Sequence, residues 1–132
     1  MKRLMYLALI GVTLSACEKE EKASMLNGTY SGTFRSLVNN KEQRSEFEVT
    51  LDNRRFITNK GGAGHGPFEV GENGKVKFVD ELFYTADFDW NTILTGEYKY
   101  QLKGDSLILD KIFIMTADRL PSSYQYRLKK IK

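Results

Sequence analysis

His65, Cys17 and the alternating oxygens of Asp87, Asp89 and Asn91 are the side chains whose types and spacing could do chemistry. His65 is the only histidine, and it stands in Gly61-Gly62-Ala63-Gly64-His65-Gly66. A triad or a zinc centre built on histidine needs partners, and no sequence neighbour supplies a ligand at useful spacing. The residue reads as a mobile loop histidine. Its glycines do not make a phosphate-cradling loop, because no Gly-Lys-Ser/Thr ends the run. Asp87-Phe88-Asp89-Trp90-Asn91 sets three oxygen ligands at alternate positions, as a calcium loop begins. The pattern then fails, with Thr92 where glycine is needed and Tyr98 where the bidentate glutamate belongs. Two nearby carboxylates also suggest glycoside hydrolysis, but acidic loop residues are ordinarily solvated. No convergent catalytic set emerges, so the sequence is expected to be neither an enzyme nor a holder of a metal or cofactor.

Cys17 is the only cysteine. Lys2 and Arg3 precede an apolar run, Leu4 to Leu14, that leads into Leu14-Ser15-Ala16-Cys17. A basic start, an apolar middle and small residues before the end make an export signal. The run is too short to span a bilayer, which takes about 20 apolar residues. The tetrapeptide resembles the lipobox of bacterial lipoproteins. That resemblance implies loss of residues 1–16 and acylation of Cys17 as the mature N-terminus, with no thiol left for a disulfide or for catalysis. One acyl chain holds a protein only marginally, while two or more anchor it stably. The resemblance implies the multi-chain case and an outer-membrane location. Residues 17–25 then form the lipidated cysteine and a tether, because Glu18 to Ser24 is charged and lacks an apolar period. Its acidic residues resemble the surface-export signal of Bacteroidetes-type lipoproteins, which face the cell exterior. They read equally as a solvated spacer.

The elements that must position any site lie in residues 26–132. Without Lys2 and Arg3, 18 basic residues stand against 17 acidic ones. So even a balance gives no field for nucleic acid. Aromatic and β-branched residues alternate with charged ones, which suits pleated, half-buried surfaces. Strands are predicted over Leu26–Val38, Glu46–Leu51, Arg54–Asn59, Phe68–Val70, Lys75–Phe78, Thr92–Leu102, Ser106–Thr116 and Tyr124–Leu128. The stretch 39–45 reads as a polar turn, 61–66 as a glycine-rich loop, and Asn73-Gly74 as a tight hairpin turn. Gly28 and Gly32 predict sharp bending or close backbone approach. The apolar run Ser106–Thr116 reads as a strand buried on both faces or covering a partner. About eight short strands with regular turn signals predict an all-β fold, a small antiparallel barrel. Tyr30, Phe34, Phe47, Phe56, Phe68, Phe78, Tyr98, Tyr100 and Tyr126 are the inward candidates. Rings that large predict a packed interior rather than an open cavity.

Two connections could carry binding. Phe83, Tyr84, Phe88 and Trp90 crowd one irregular stretch, either plugging the barrel end or forming an interface hot spot. Thr116 to Ser123 is either an ordinary solvated loop or a stiff one. Pro121 fixes its own backbone and restricts Leu120, so Arg119 could enter a peptidase pocket that selects arginine with a small ordering cost. Lys60, beside the glycines, is a poorer second candidate, because a floppy loop loses more entropy on docking.

The lipobox, the acidic tether, the Asn27-Gly28-Thr29-Tyr30 opening and the Tyr124-Gln125-Tyr126-Arg127-Leu128-Lys129-Lys130 ending together resemble small β-barrel surface lipoproteins of Bacteroidetes. Among these, the potempins are peptidase inhibitors. Asp105-Ser106-Leu107 resembles the O-glycan attachment pattern of the same bacteria. The opening also resembles, at a distance, the Gly-x-Trp of lipocalins, here Gly28-Thr29-Tyr30. The expectation is a surface-anchored protein-binding module, most concretely a peptidase inhibitor. It would use Arg119, Leu120 and Pro121, with Phe88, Trp90 and Lys60 as further contacts. A lipocalin-like carrier of a small apolar ligand and a structural subunit of a surface complex are the alternatives.

Overall fold

The computed structural model describes residues 21–82, 92–113 and 122–132. Eight strands run in chain order: β1 (Gly28–Val38), β2 (Lys41–Asp52), β3 (Arg55–Lys60), β4 (His65–Val70), β5 (Lys75–Phe78), β6 (Gly96–Lys103), β7 (Ser106–Lys111) and β8 (Ser123–Lys130). Each pairs antiparallel with its sequence neighbour, and β1 also pairs with β8. The result is a closed eight-stranded antiparallel barrel, an architecture compatible with a lipocalin-like barrel. Closure leaves the sheet without the open edges that invite another chain to pair.

Alternation builds the core. Phe47, Val49 and Leu51 point inward from β2, Tyr124, Tyr126 and Leu128 from β8, and the intervening residues face solvent. Tyr30, Phe47, Phe68, Phe78, Tyr98 and Tyr126 are each at most 1% exposed, so rings fill the centre. They form a continuous chain. Phe68 meets Phe78 at 6.0 Å between centroids, Phe78 meets Tyr98 at 5.6 Å, and Tyr98 meets Tyr126 at 5.9 Å. Tyr126 then stacks on Phe34 at 4.5 Å. Such edge-to-face and offset contacts suit the ring quadrupole. Of the expected inward residues, Tyr100 alone is half-buried, packed against the core near one barrel end. Gly32 lies where β1 crosses β8 closely, and a Cβ there would collide with the Arg127 carbonyl.

The structure corrects several expected boundaries. The stretch 39–45 is a two-residue turn, since Asn39 and Asn40 take φ of 52° and 62° and β2 starts at Lys41. Two successive positive φ values are the mark of a type I′ hairpin, whose twist matches the flanking strands. Residues 41–46 are exposed and pair only with β1 among the described residues, so charges guard that projecting edge. β6 starts at Gly96 rather than Thr92, because Ile93 and Leu94 turn inward instead of continuing the ladder. β7 is buried on one face only, through Leu107 and Leu109. Residues 21–25, expected in the tether, form one helical turn that buries Ala23, with Leu26 buried just after it.

Candidate functional site

An up-and-down barrel puts its connections alternately at two rims. One rim carries the turns 53–54, 71–74 and 104–105, together with the residue 21–25 helix and the C-terminus. Thr29 N–H donates to the Lys132 carbonyl there, and Ile131 N–H to the Thr29 carbonyl. The opposite rim carries the turn at Asn39-Asn40, the connection 61–64 and the two long connections, 79–95 and 112–122. Phe88, Trp90, Arg119, Leu120 and Pro121 fall in those long connections but lie outside the described residues. Cys17, Phe83, Tyr84, Asp87, Asp89 and Asn91 lie outside them as well.

The described part of this rim is built and closed. Thr92 carbonyl accepts from Ala63 N–H at 3.0 Å, and Ala63 carbonyl accepts from Leu94 N–H at 3.0 Å. This short parallel bridge ties 92–95 to the 61–64 connection and drops Leu94, fully buried, into the barrel end. Gly61 takes φ of 74° and passes so close to Glu46 that a Cβ would collide with that carbonyl. The glycine-rich stretch is thus a fitted corner, not a loose loop. At its far side His65 is the first residue of β4 rather than a mobile loop residue. His65 N–H donates to Asp80 Oδ1 at 3.3 Å, and its carbonyl accepts from Glu81 N–H at 3.0 Å.

Lys60 ends β3 at the same rim, on a strand rather than in a floppy loop. Its Nζ lies 2.7 Å from Glu46 Oε2, and both side chains are well exposed. That contact raises the Lys60 pKa and lowers the Glu46 pKa. Entry of Lys60 into a partner pocket would have to replace this ion pair.

The structure adds a residue that sequence reasoning missed. Lys111 Nζ sits 5.3 Å from the Tyr124 ring centroid, 5.6 Å from Phe113 and 5.9 Å from Tyr98. Burial lowers its pKa. Three ring faces around one ammonium recover part of the lost hydration and fasten the start of the 112–122 connection to the barrel. The β6–β7 register sets Tyr98 against Lys111, and the β7–β8 pairing brings Tyr124 alongside, so no linear motif announces the cluster. Nearby, Tyr98 Oη is buried without a hydrogen-bond partner among the described residues, as is Tyr30 Oη. No group of three or more His, Cys, Asp or Glu side chains among the described residues could hold a metal ion. Comparison with known proteins finds no matching family model, no matching curated protein and no matching solved structure.

Proposed function

We propose that the protein is a lipid-anchored surface lipoprotein that binds a protein partner, most concretely a peptidase that it inhibits. The observation that carries this reading is the contrast between the rims. The N-terminal helix, through which a tether from Cys17 would enter, packs at the rim of two- to four-residue turns. The long connections 79–95 and 112–122 join strands at the other rim. A barrel held by its N-terminus would therefore turn the rim at which these connections leave and rejoin the strands away from the membrane. Arg119 would fill the pocket, Leu120 and Pro121 would shape its loop, and Phe88, Trp90 and Lys60 would add contacts.

The filled interior supports a role carried out on the outside. Carriers of small apolar ligands enclose cavities of roughly 300–1,000 Å³, whereas here the centre is occupied by Tyr30, Tyr98 and Tyr126. The test uses the full chain in non-ionic detergent against trypsin-like and metallo-peptidases at micromolar protein. Inhibition is expected, and Arg119→Ala should weaken it by about 100-fold if Arg119 is the anchor of the interface. The reading fails if no peptidase is inhibited, or if Arg119→Ala leaves an observed inhibition intact. Intact-mass analysis should find acyl chains on Cys17, and Cys17→Ala should release the protein from membranes.

A further inference from the structure

Arg35 on β1 and Arg44 on β2 are direct register partners on the outer face of the barrel. Like charges directly opposite each other in a ladder are destabilising. Arg127 on β8 adds a third guanidinium, opposite Thr33 and one row away from Arg35. Together with Thr33 and Gln125 these arginines line one cleft of about 200 Å³.

Each guanidinium is held by its Nε. Arg35 Nε lies 2.8 Å from Glu42 Oε1, and Arg44 Nε lies 2.9 Å from the same oxygen. Arg127 Nε donates to Gln125 Oε1 at 2.8 Å, and Gln125 Nε2 donates to Asp110 Oδ1 at 2.8 Å. A guanidinium has five N–H donors, so contacts through Nε fix the three planes and leave donors on the terminal nitrogens. Glu42 Oε1 is thus an oxyanion oxygen held by two of the three arginines. Arg127 Nε meets a neutral amide oxygen instead of a carboxylate. Placing like charges opposite each other in a ladder costs stability, and natural proteins break such local rules mainly at functional sites.

We propose that the outer face of β2, β1 and β8 is a binding site for a tetrahedral oxyanion, a phosphate or sulfate ester. Three guanidiniums carried on three neighbouring strands can meet one group from three sides. A planar carboxylate matches one guanidinium fork, while an ester group with three terminal oxygens can give one oxygen to each arginine. The cleft has room for that group and the start of the molecule it is attached to. Glu42 is the internal competitor, occupying part of the site until a ligand displaces it.

The test is titration of the full chain in non-ionic detergent with inorganic phosphate, inorganic sulfate and acetate at constant ionic strength, following the arginine Nε–Hε signals by NMR. Saturable shifts are expected for a tetrahedral anion, with Kd of about 1–10 mM. Saturation by phosphate, by sulfate or by both supports the site and identifies the ester it takes. Arg127→Ala should weaken binding about fivefold, and Glu42→Gln should tighten it about fivefold by removing the competing carboxylate. The Glu42→Gln gain cannot arise from a damaged fold. The proposal is overturned if neither tetrahedral anion saturates by roughly 50 mM beyond the effect of screening. It is also overturned if acetate binds as tightly, or if Glu42→Gln weakens binding.

Discussion

Gly61 shows how much of this barrel rests on single positions. Its φ of 74° and its approach to the Glu46 carbonyl exclude any side chain. Gly61→Ala should cost about 3 kcal/mol, from the left-handed backbone and the steric overlap together, as measured by denaturant unfolding. The buried tyrosines set the response to alkali. Burial raises the pKa of Tyr30, Tyr98 and Tyr126 above the ordinary value of 10.0. A raised folded-state pKa means that the unfolded chain loses these protons first. Their contribution is complete below pH 10 and is lost as pH rises from there through the folded-state values. Tyrosinate absorbance from the buried rings should therefore appear together with loss of the folded circular dichroism signal. Titration of all tyrosines ahead of unfolding would contradict this. Lys111 acts with the opposite sign, because its lowered pKa lets stability rise as pH climbs toward 10.5.

Among the elements, segment 92–95 carries more than its length suggests. Leu94 is fully buried, and two backbone bonds to Ala63, one from Leu94 N–H and one to the Thr92 carbonyl, hold the segment. Leu94→Ala should destabilise the barrel by about 2–4 kcal/mol through the cavity it leaves. Calorimetry checks this, and a loss below about 1 kcal/mol would mean that the plug is peripheral. The same segment marks where the sequence was legible and where it was not. Strict alternation in Phe47-Glu48-Val49-Thr50-Leu51 and Lys75-Val76-Lys77-Phe78 reported the inward face directly, because a pleated strand has period two. The eight strands and the ring-filled centre follow from such stretches. Thr92-Ile93-Leu94-Thr95 has a strand's composition too, but its path is decided by the vacancy at the rim and by Ala63, which lie far away in sequence. The polar residues 41–46 failed as a strand signal for the opposite reason. They are exposed on both sides, so no apolar period marks them, and only the Asn39-Asn40 turn chemistry fixes their register. Of the residues singled out, the place of Lys60 beside the glycine-rich connection was legible, although it ends a strand and does not sit in a loose loop. The Lys111 cage and the three-arginine face could not, since both are products of pairing between strands.

At the scale of the whole molecule, the two rims differ in the length of their connections and in what enters them. If residue 17 is anchored in lipid, the turns at Asn53-Arg54 and Gly104-Asp105 face the bilayer, while Asn39-Asn40 faces outward. An epitope tag inserted between Asn39 and Asn40 should be bound by antibody on intact cells. A tag between Gly104 and Asp105 should be bound several-fold less until the protein is extracted in detergent, because insertions are tolerated at both exposed turns but only one stands clear of the surface. Equal labelling at both sites would reject the orientation.

The pairing of β1 with β8, from Tyr30↔Lys130 to Leu37↔Ser123, joins the two extremes of the chain. Loop closure over such a separation is slow, and it comes after local hairpins. A nascent polypeptide that stops short of Ser123 therefore leaves β1 and β7 each with an unmated side and rings of the core uncovered. Ring closure ties protection from self-association to one late event, the docking of β8 between β7 and β1.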